Sequence, residues 1–174
     1  MVKIRILGAA DAGAFQALRL RGLRESPAAF GSTLEEEVGR SIEEVAERLA
    51  ELRSVPRRAT FGAFDENGSL LGVAACVQQG GIKMRHKASV FAMYVSPDAR
   101  GRGVGRALVA RLIEHARGWE GVERLTLTVT DTQETARRLY LAAGFHVFGS
   151  EPDGLRQDGK PTTMEYMTLS LRGE

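Results

Sequence analysis

Seven consecutive residues, Arg100-Gly101-Arg102-Gly103-Val104-Gly105-Arg106, carry the most specific chemistry in the chain. They follow the apolar run Val90 to Val95 and a turn at Pro97, and they lead into a segment of helical period, Gly103 to Arg117. A strand that feeds a helix through alternating glycines leaves unpaired backbone N–H groups at the helix N-terminus, where the dipole also favours negative charge. Glycine lets the backbone approach a ligand closely, and Arg100, Arg102 and Arg106 add cationic donors. Together these features describe a cradle for a pyrophosphate.

Three ligands compete for such a loop. A P-loop ends in Gly-Lys-Ser/Thr, which is absent here. A dinucleotide fingerprint spaces its glycines Gly-x-Gly-x-x-Gly in a first strand-helix-strand unit. This chain has Gly101-x-Gly103-x-Gly105, in mid-chain, after three strands are already spent. Arg100 to Gly105 resembles instead the Arg/Gln-x-x-Gly-x-Gly/Ala coenzyme A motif of the GNAT superfamily of N-acetyltransferases. The preceding strand, Val95 and Pro97 match that family too. A second stretch, Thr130 to Phe145, resembles the family pattern Asn-x-x-Ala-x-x-Leu-Tyr-x-x-x-Gly-Phe through Ala136, Leu139, Tyr140, Gly144 and Phe145. Gln133 stands at the usual asparagine position; it keeps the amide but on a longer side chain. The resemblance runs from about Thr60 to Phe148, with the flanks similar only in general layout.

The resemblance implies direct transfer of an acyl group, commonly acetyl, from acetyl-CoA to a primary amine in a ternary complex. It assigns coenzyme A binding to Met93, Tyr94, Val95, Arg100, Gly101, Arg102, Gly103, Val104, Gly105, Arg106, Gln133 and Tyr140. The backbone of Met93 to Val95 would hold the pantetheine arm opposite Leu125 to Val129, and an N–H there could polarise the thioester carbonyl. Tyr140 would protonate the leaving thiolate. The acceptor site is implied to border Arg21 to Gly39, with Phe30, Glu35 and Glu36 as its candidate residues. Many relatives carry a carboxylate on the strand before the loop to deprotonate the amine, but Ser89 to Val95 has none. The base stays unassigned among Glu35, Glu36, Glu37, His86, Glu165 and an ordered water. A non-catalytic acyl-CoA sensor and a nucleotide-binding module remain as alternatives. Dimerisation is common in the family, so a homodimer is among the expectations the resemblance carries.

Several elements must position these residues. Val2, Ile4 and Ile6 alternate as a strand, and Asp11 is placed to cap a helix with Phe15, Leu18 and Gly22 on one face. Ser41 and Glu44 have capping-box spacing ahead of an amphipathic helix using Ile42, Val45, Leu49 and Leu52. Thr60–Phe64 and Leu70–Gln78 read as strands around the Asn67-Gly68 turn. A mobile loop is expected from Gly80 to Lys87, then a strand from Ala88 to Val95. Further strands are expected at Leu125–Val129, Phe145–Phe148 and Met164–Leu171, a helix at about Gln133–Ala143, and an exposed loop over Glu151–Thr163. The predicted fold is mixed α/β: a mostly antiparallel central sheet of about seven strands with helices on both faces, in one domain over residues 1–174.

Composition bounds the rest. The 174 residues are 43% hydrophobic and 26% charged, and 24 Lys and Arg against 22 Asp and Glu leave no field to draw the chain to nucleic acid or membrane. No apolar run approaches the roughly 20 residues of a membrane span. Cys76, alone and in an apolar run, reads as a buried thiol, and nothing near it in sequence would activate it as a nucleophile. The three histidines show no metal-ligand spacing with it, and His115 reads as exposed or capping. The expectations are therefore a cytoplasmic chain and no metal.

Overall fold

The computed structural model describes residues 2–50 and 57–172; Leu52 lies outside the described residues. Its strands are β1 (Lys3–Ile6), β2 (Arg58–Phe64), β3 (Leu70–Gln78), β4 (Lys87–Val95), β5 (Arg124–Thr130), β6 (His146–Gln157) and β7 (Lys160–Ser170). The helices are α1 (Ala12–Glu25), α2 (Leu34–Val38), α3 (Ile42–Ala50), α4 (Val104–Arg117) and α5 (Glu134–Ala142). The seven strands form one sheet in the order β1-β2-β3-β4-β5-β7-β6. Every neighbouring pair is antiparallel except β4 and β5, which are parallel because α4 crosses over between them.

Two apolar clusters cover the two faces. On one, Val104, Leu108, Leu112 and Ala116 of α4 and Tyr140 of α5 pack on Phe61, Ala74, Cys76, Leu125 and Met167. On the other, Ala12 and Leu18 of α1 and Val45 and Leu49 of α3 pack on Phe64, Val73 and Tyr94. The apolar face predicted for α1 is the buried one, and Gly22 sits on it for a steric reason. A methyl group there would come within 2.9 Å of the Phe30 ring and 3.1 Å of the Tyr94 ring.

Several local expectations hold and others are corrected. The Ser41 and Glu44 box forms in both directions, at 2.8 and 3.2 Å. A second box, Thr33 with Glu36, starts the five-residue α2, an element too short to show helical period in the sequence. Asp11 does not cap α1 with its side chain. It accepts from the Gly8 N–H at 2.9 Å and pairs with Arg5 at 2.7 Å, closing the 3-10 turn ahead of the helix. Residues 80–86 form a hydrogen-bonded turn in place of the expected mobile loop, with Gln78 Nε2 donating to the Arg85 carbonyl at 2.8 Å. His115 is half-buried between Phe61 and Trp119, and burial and Arg111 push its imidazole below the ordinary range.

The largest correction concerns Glu151 to Thr163. These residues form the distal half of the β6–β7 hairpin, which turns at Asp158 (φ 50°) and Gly159 (φ 74°) with Gln157 opposite Lys160. Positive φ at both central residues is the two-residue turn that Asp-Gly favours, so the signal was present in the sequence. A wide register shift between Glu151 and Leu155, with Asp153 at φ 55°, interrupts the ladder.

Gly72 of β3 fixes how closely β4 and α4 approach. A methyl group there would meet the Tyr94 carbonyl at 3.0 Å, Val95 at 3.1 Å and Leu108 at 3.2 Å. Gly72→Ala is therefore expected to lower stability by about 1–3 kcal/mol, as overpacked cores do. Urea unfolding monitored by circular dichroism checks this; an unchanged midpoint would show that the sheet and α4 relax freely.

Candidate active site

The central feature is a parting of two strands. β4 and β5 are hydrogen-bonded only where Lys87–Ser89 face Arg124–Thr126. Beyond that point they diverge, and a cavity of about 530 Å³ opens between them. Val90–Val95 line one side and Thr128–Thr130 the other. A bulge accompanies the parting: Val73 faces Tyr94 but Ala75 faces Phe91, so β4 carries one residue more than β3 over this stretch. Ala92 takes up the extra length at φ 53°. Such a conformation costs a non-glycine residue on the order of 1–3 kcal/mol, and bulges of this kind recur beside functional sites. Alanine at 92 gives no sequence signal for it.

The bulged strand turns selected backbone groups toward the cavity. Ser96 N–H donates to the Leu71 carbonyl at 2.9 Å, so at position 96 the main chain faces β3. Strand alternation then turns Tyr94 toward β3 as well, and leaves Val95 and Met93 facing the open side. Arg100 Nε donates to the Val95 carbonyl at 3.1 Å from that side. Of the three residues assigned to the pantetheine arm, the backbone of Met93 and Val95 is thus presented to the cavity. Tyr94 belongs to the β3 ladder, and its side chain packs on Phe30 with its hydroxyl donating to Glu25 at 3.0 Å.

The cradle follows directly. Gly101 (φ 72°) and Gly103 (φ 77°) adopt left-handed conformations that glycine reaches without strain, and Gly103 is the N-cap of α4. Ala107 N–H is tied to the Gly103 carbonyl at 3.0 Å; the N–H groups just before it have no intrahelical partner. Gly105 has a packing role, since a methyl group there would come within 3.2 Å of Leu139 and 3.3 Å of Met93. Arg100, Gly101, Gly103, Val104, Gly105 and Arg106 all line the cavity. Arg102 is exposed and does not line it.

Tyr140 enters from the opposite wall. It is buried against Phe145 at 5.8 Å between ring centroids and lines the same cavity. Its hydroxyl has no hydrogen-bond partner among the described residues. Burial drives the phenol's pKa well above its ordinary value, so the group stays protonated at every physiological pH. Gln133, Thr130 and Thr128 also line the cavity, and neither threonine was singled out from sequence. Cys76 lies in β3 inside the core, and burial pushes its thiol up to about 12, which leaves no thiolate to attack a thioester.

The expected acceptor wall is only partly where the sequence placed it. Phe30 lines the cavity, between Arg19 (5.7 Å to the ring) and Tyr94. Glu35 and Glu36 are exposed and do not line the cavity, and Glu36 is spent on the Thr33 cap. Glu37 is buried between Arg19 (3.2 Å) and Arg40 (3.0 Å). Burial raises its carboxyl pKa, but the two guanidiniums outweigh that and hold it below the usual range. Glu165 is paired with Arg137 at 2.6 Å, and His86 is exposed beyond the start of β4. No carboxylate or imidazole lines the large cavity among the described residues. Among the described residues, no group of three or more His, Cys, Asp or Glu side chains converges as a metal site would. No helix among the described residues is long and apolar enough to cross a membrane.

A mycothiol acetyltransferase from Propionibacterium freudenreichii is 36% identical over 91 residues, covering 51% of this chain and 28% of that protein. The chain thus matches less than a third of that relative's length. The crystal structure of a GNAT-family acetyltransferase from Streptococcus pneumoniae superposes with a TM-score of 0.87 at 24% identity, over 98% of this chain and 99% of that one. A phosphinothricin acetyltransferase from Sinorhizobium meliloti, solved in complex with acetyl-CoA, superposes with a TM-score of 0.83 at 21% identity, over 97% and 88% of the two chains. These likenesses establish the fold. The sequence profile of the acetyltransferase (GNAT) family matches residues 27–145, well over half of the chain, and the chain belongs to that family.

Proposed function

We propose that the protein moves an acetyl group from acetyl-CoA to a primary amine by direct attack in a ternary complex. One observation carries this reading: Arg100, Gly101 and Gly103 to Arg106, the open edge of β4 and the Tyr140 side chain all line a single cavity. The cradle and its arginines would hold the pyrophosphate, with free N–H groups and the dipole of α4 supplying the anion site. Arg100 would exchange its contact with the Val95 carbonyl for a phosphate oxygen. The main-chain groups of Met93 and Val95 would then align the pantetheine arm along β4. An N–H on this edge donates to the thioester oxygen as negative charge develops there.

Tyr140 supplies the proton at the other end of the reaction. As the C–N bond forms and the C–S bond breaks, the electron pair departs on sulfur and the buried phenol donates its proton to it. The proton that the nitrogen sheds on becoming an amide returns through water to the phenolate. A buried neutral donor without a competing partner suits that task. The amine must arrive without its own extra proton. With no carboxylate or imidazole on the cavity wall, that proton leaves to water in the open part of the cavity.

Three outcomes test the proposal. Tyr140→Phe is expected to lower kcat by about 100-fold or more, while the Kd for coenzyme A stays within about twofold; equal turnover at saturation would remove Tyr140 from the chemistry. Gly103→Ala meets no steric obstacle but must adopt φ 77°, so calorimetry should show acetyl-CoA affinity reduced by about tenfold. The pH profile of kcat/KM for the acceptor should rise with the amine's own pKa and show no fall from Tyr140 below about pH 10, because the raised phenol pKa keeps the acid protonated. Acetyl-CoA binding without thiol release from any amine would replace the transferase reading with that of a sensor.

A further inference from the structure

A smaller cavity, of about 100 Å³, lies beside the bulge of β4 on the side of the N-terminal helices. It shares Phe91 and Ala92 with the large cavity, so the two sites meet at the strained residue. No residue from Gly101 to Arg106 lines the smaller one, which sets it apart from the phosphate cradle. Its wall is cationic. Among the described residues, Arg19, Arg40 and Arg48 face it together with one carboxylate, Glu37. Arg58 also lines it and stacks on Phe91 at 5.2 Å.

The donor inventory shows room for a ligand. Arg19 commits only its NH2 group, to Ser32 and Glu37. Arg40 commits only its Nε, to Glu37. The remaining N–H groups of these two guanidiniums, and those of exposed Arg48, have no partner among the described residues. A second, independent sign comes from Gln16, which is 5% exposed and lines the cavity. Its Nε2 donates to the Glu37 carbonyl at 3.0 Å, which fixes the orientation of the amide because that carbonyl can only accept. Gln16 Oε1 is then left buried and without a hydrogen-bond partner. A buried oxygen of this kind implies a polar occupant, either a donor group of the ligand or a water held beside it.

We infer that this cavity is the anion subsite of the acceptor: the amine that attacks over Ala92 also carries a carboxylate, held by Arg19, Arg40 and Arg48. A guanidinium fork matches a carboxylate with two parallel donors, and a single carboxylate fits a cavity of this size. The same wall repels polyamines, whose second cation would enter a field already positive. An α-amino acid places its amine one carbon from its carboxylate, a spacing that lets one molecule touch the guanidiniums and reach the thioester past Ala92. This assignment rests on the transferase reading of the large cavity.

Calorimetry on the full chain saturated with free coenzyme A tests it, with the proteinogenic L-amino acids and their amides as probes. At least one amino acid is expected to bind about tenfold or more tightly than its amide. Arg40→Gln and Arg48→Gln should each bring that ratio close to one, with coenzyme A affinity changed by less than about twofold. Arg48 is exposed, so its variant keeps the test valid if the Arg40 variant folds poorly. If every amide binds as well as its acid, or the preference survives in the folded variants, the anion subsite is overturned. Thiol release with acetyl-CoA, run on the same panel, separates the two readings. Acid-selective binding without thiol release removes the transfer and keeps the subsite. Thiol release from acids and amides alike keeps the transfer and removes the subsite.

Discussion

The parallel contact between β4 and β5 extends over only three residues on each strand, and the rest of the site depends on its ending there. A sheet that continued pairing would satisfy the backbone of Val90 to Val95 internally and leave nothing to hold a ligand. The break exposes one edge of β4 in the middle of the sheet, where a flexible chain could be bound by main-chain hydrogen bonds. The bulge at Ala92 lengthens β4 at the same place and re-aims the strand. The strain at Ala92 is sustained by the packing around it. Tyr94 is anchored by Phe30 and Glu25, and Gly72 lets β4 lie close to β3.

Electrostatics on either side of this strand follow a common logic. On the side of α4, N–H groups, a helix dipole and the arginines at 100 and 106 border the cavity and would favour an anion. On the side of α1, the Arg19, Arg40 and Arg48 guanidiniums outnumber Glu37. The nearby acidic residues are spent on structure: Glu36, outside the cavity, caps α2, and Glu37, on its wall, holds two guanidiniums in place. A run of three glutamates in the sequence therefore contributes a rigid helix start and a positively charged cavity. Counting charges along the chain gives the opposite impression.

The glycine loop ahead of α4 was legible because its shape rests on backbone conformation. Gly101 and Gly103 must adopt positive φ, and only glycine does so without cost, so the residue types report the geometry directly. The Ser41 box was legible for the same reason: a cap is a contact between residues three apart. The β6–β7 hairpin shows how a local signal can be overlooked. Asp158-Gly159 marks the turn, but the charged, glycine-containing flanks do not alternate like a half-buried strand. The bulge was illegible in principle, since alanine carries no preference for φ 53°.

The sequence by itself determined the fold class, the glycine loop ahead of α4 and the motif that carries Tyr140, because motifs of this kind depend on residue type within a short span. Tertiary structure decided where β4 leaves β5, which of Met93, Tyr94 and Val95 turns its backbone outward, and what surrounds the acceptor side of Ala92. These are set by contacts between distant segments: Arg19 with Glu37, Tyr94 with Glu25, β4 with β3. The loop expected to bind a pyrophosphate does line a cavity large enough for a cofactor arm. Of the acidic triplet, Glu36 caps α2 and Glu37 is buried between Arg19 and Arg40, a pairing between distant segments that the triplet itself does not display.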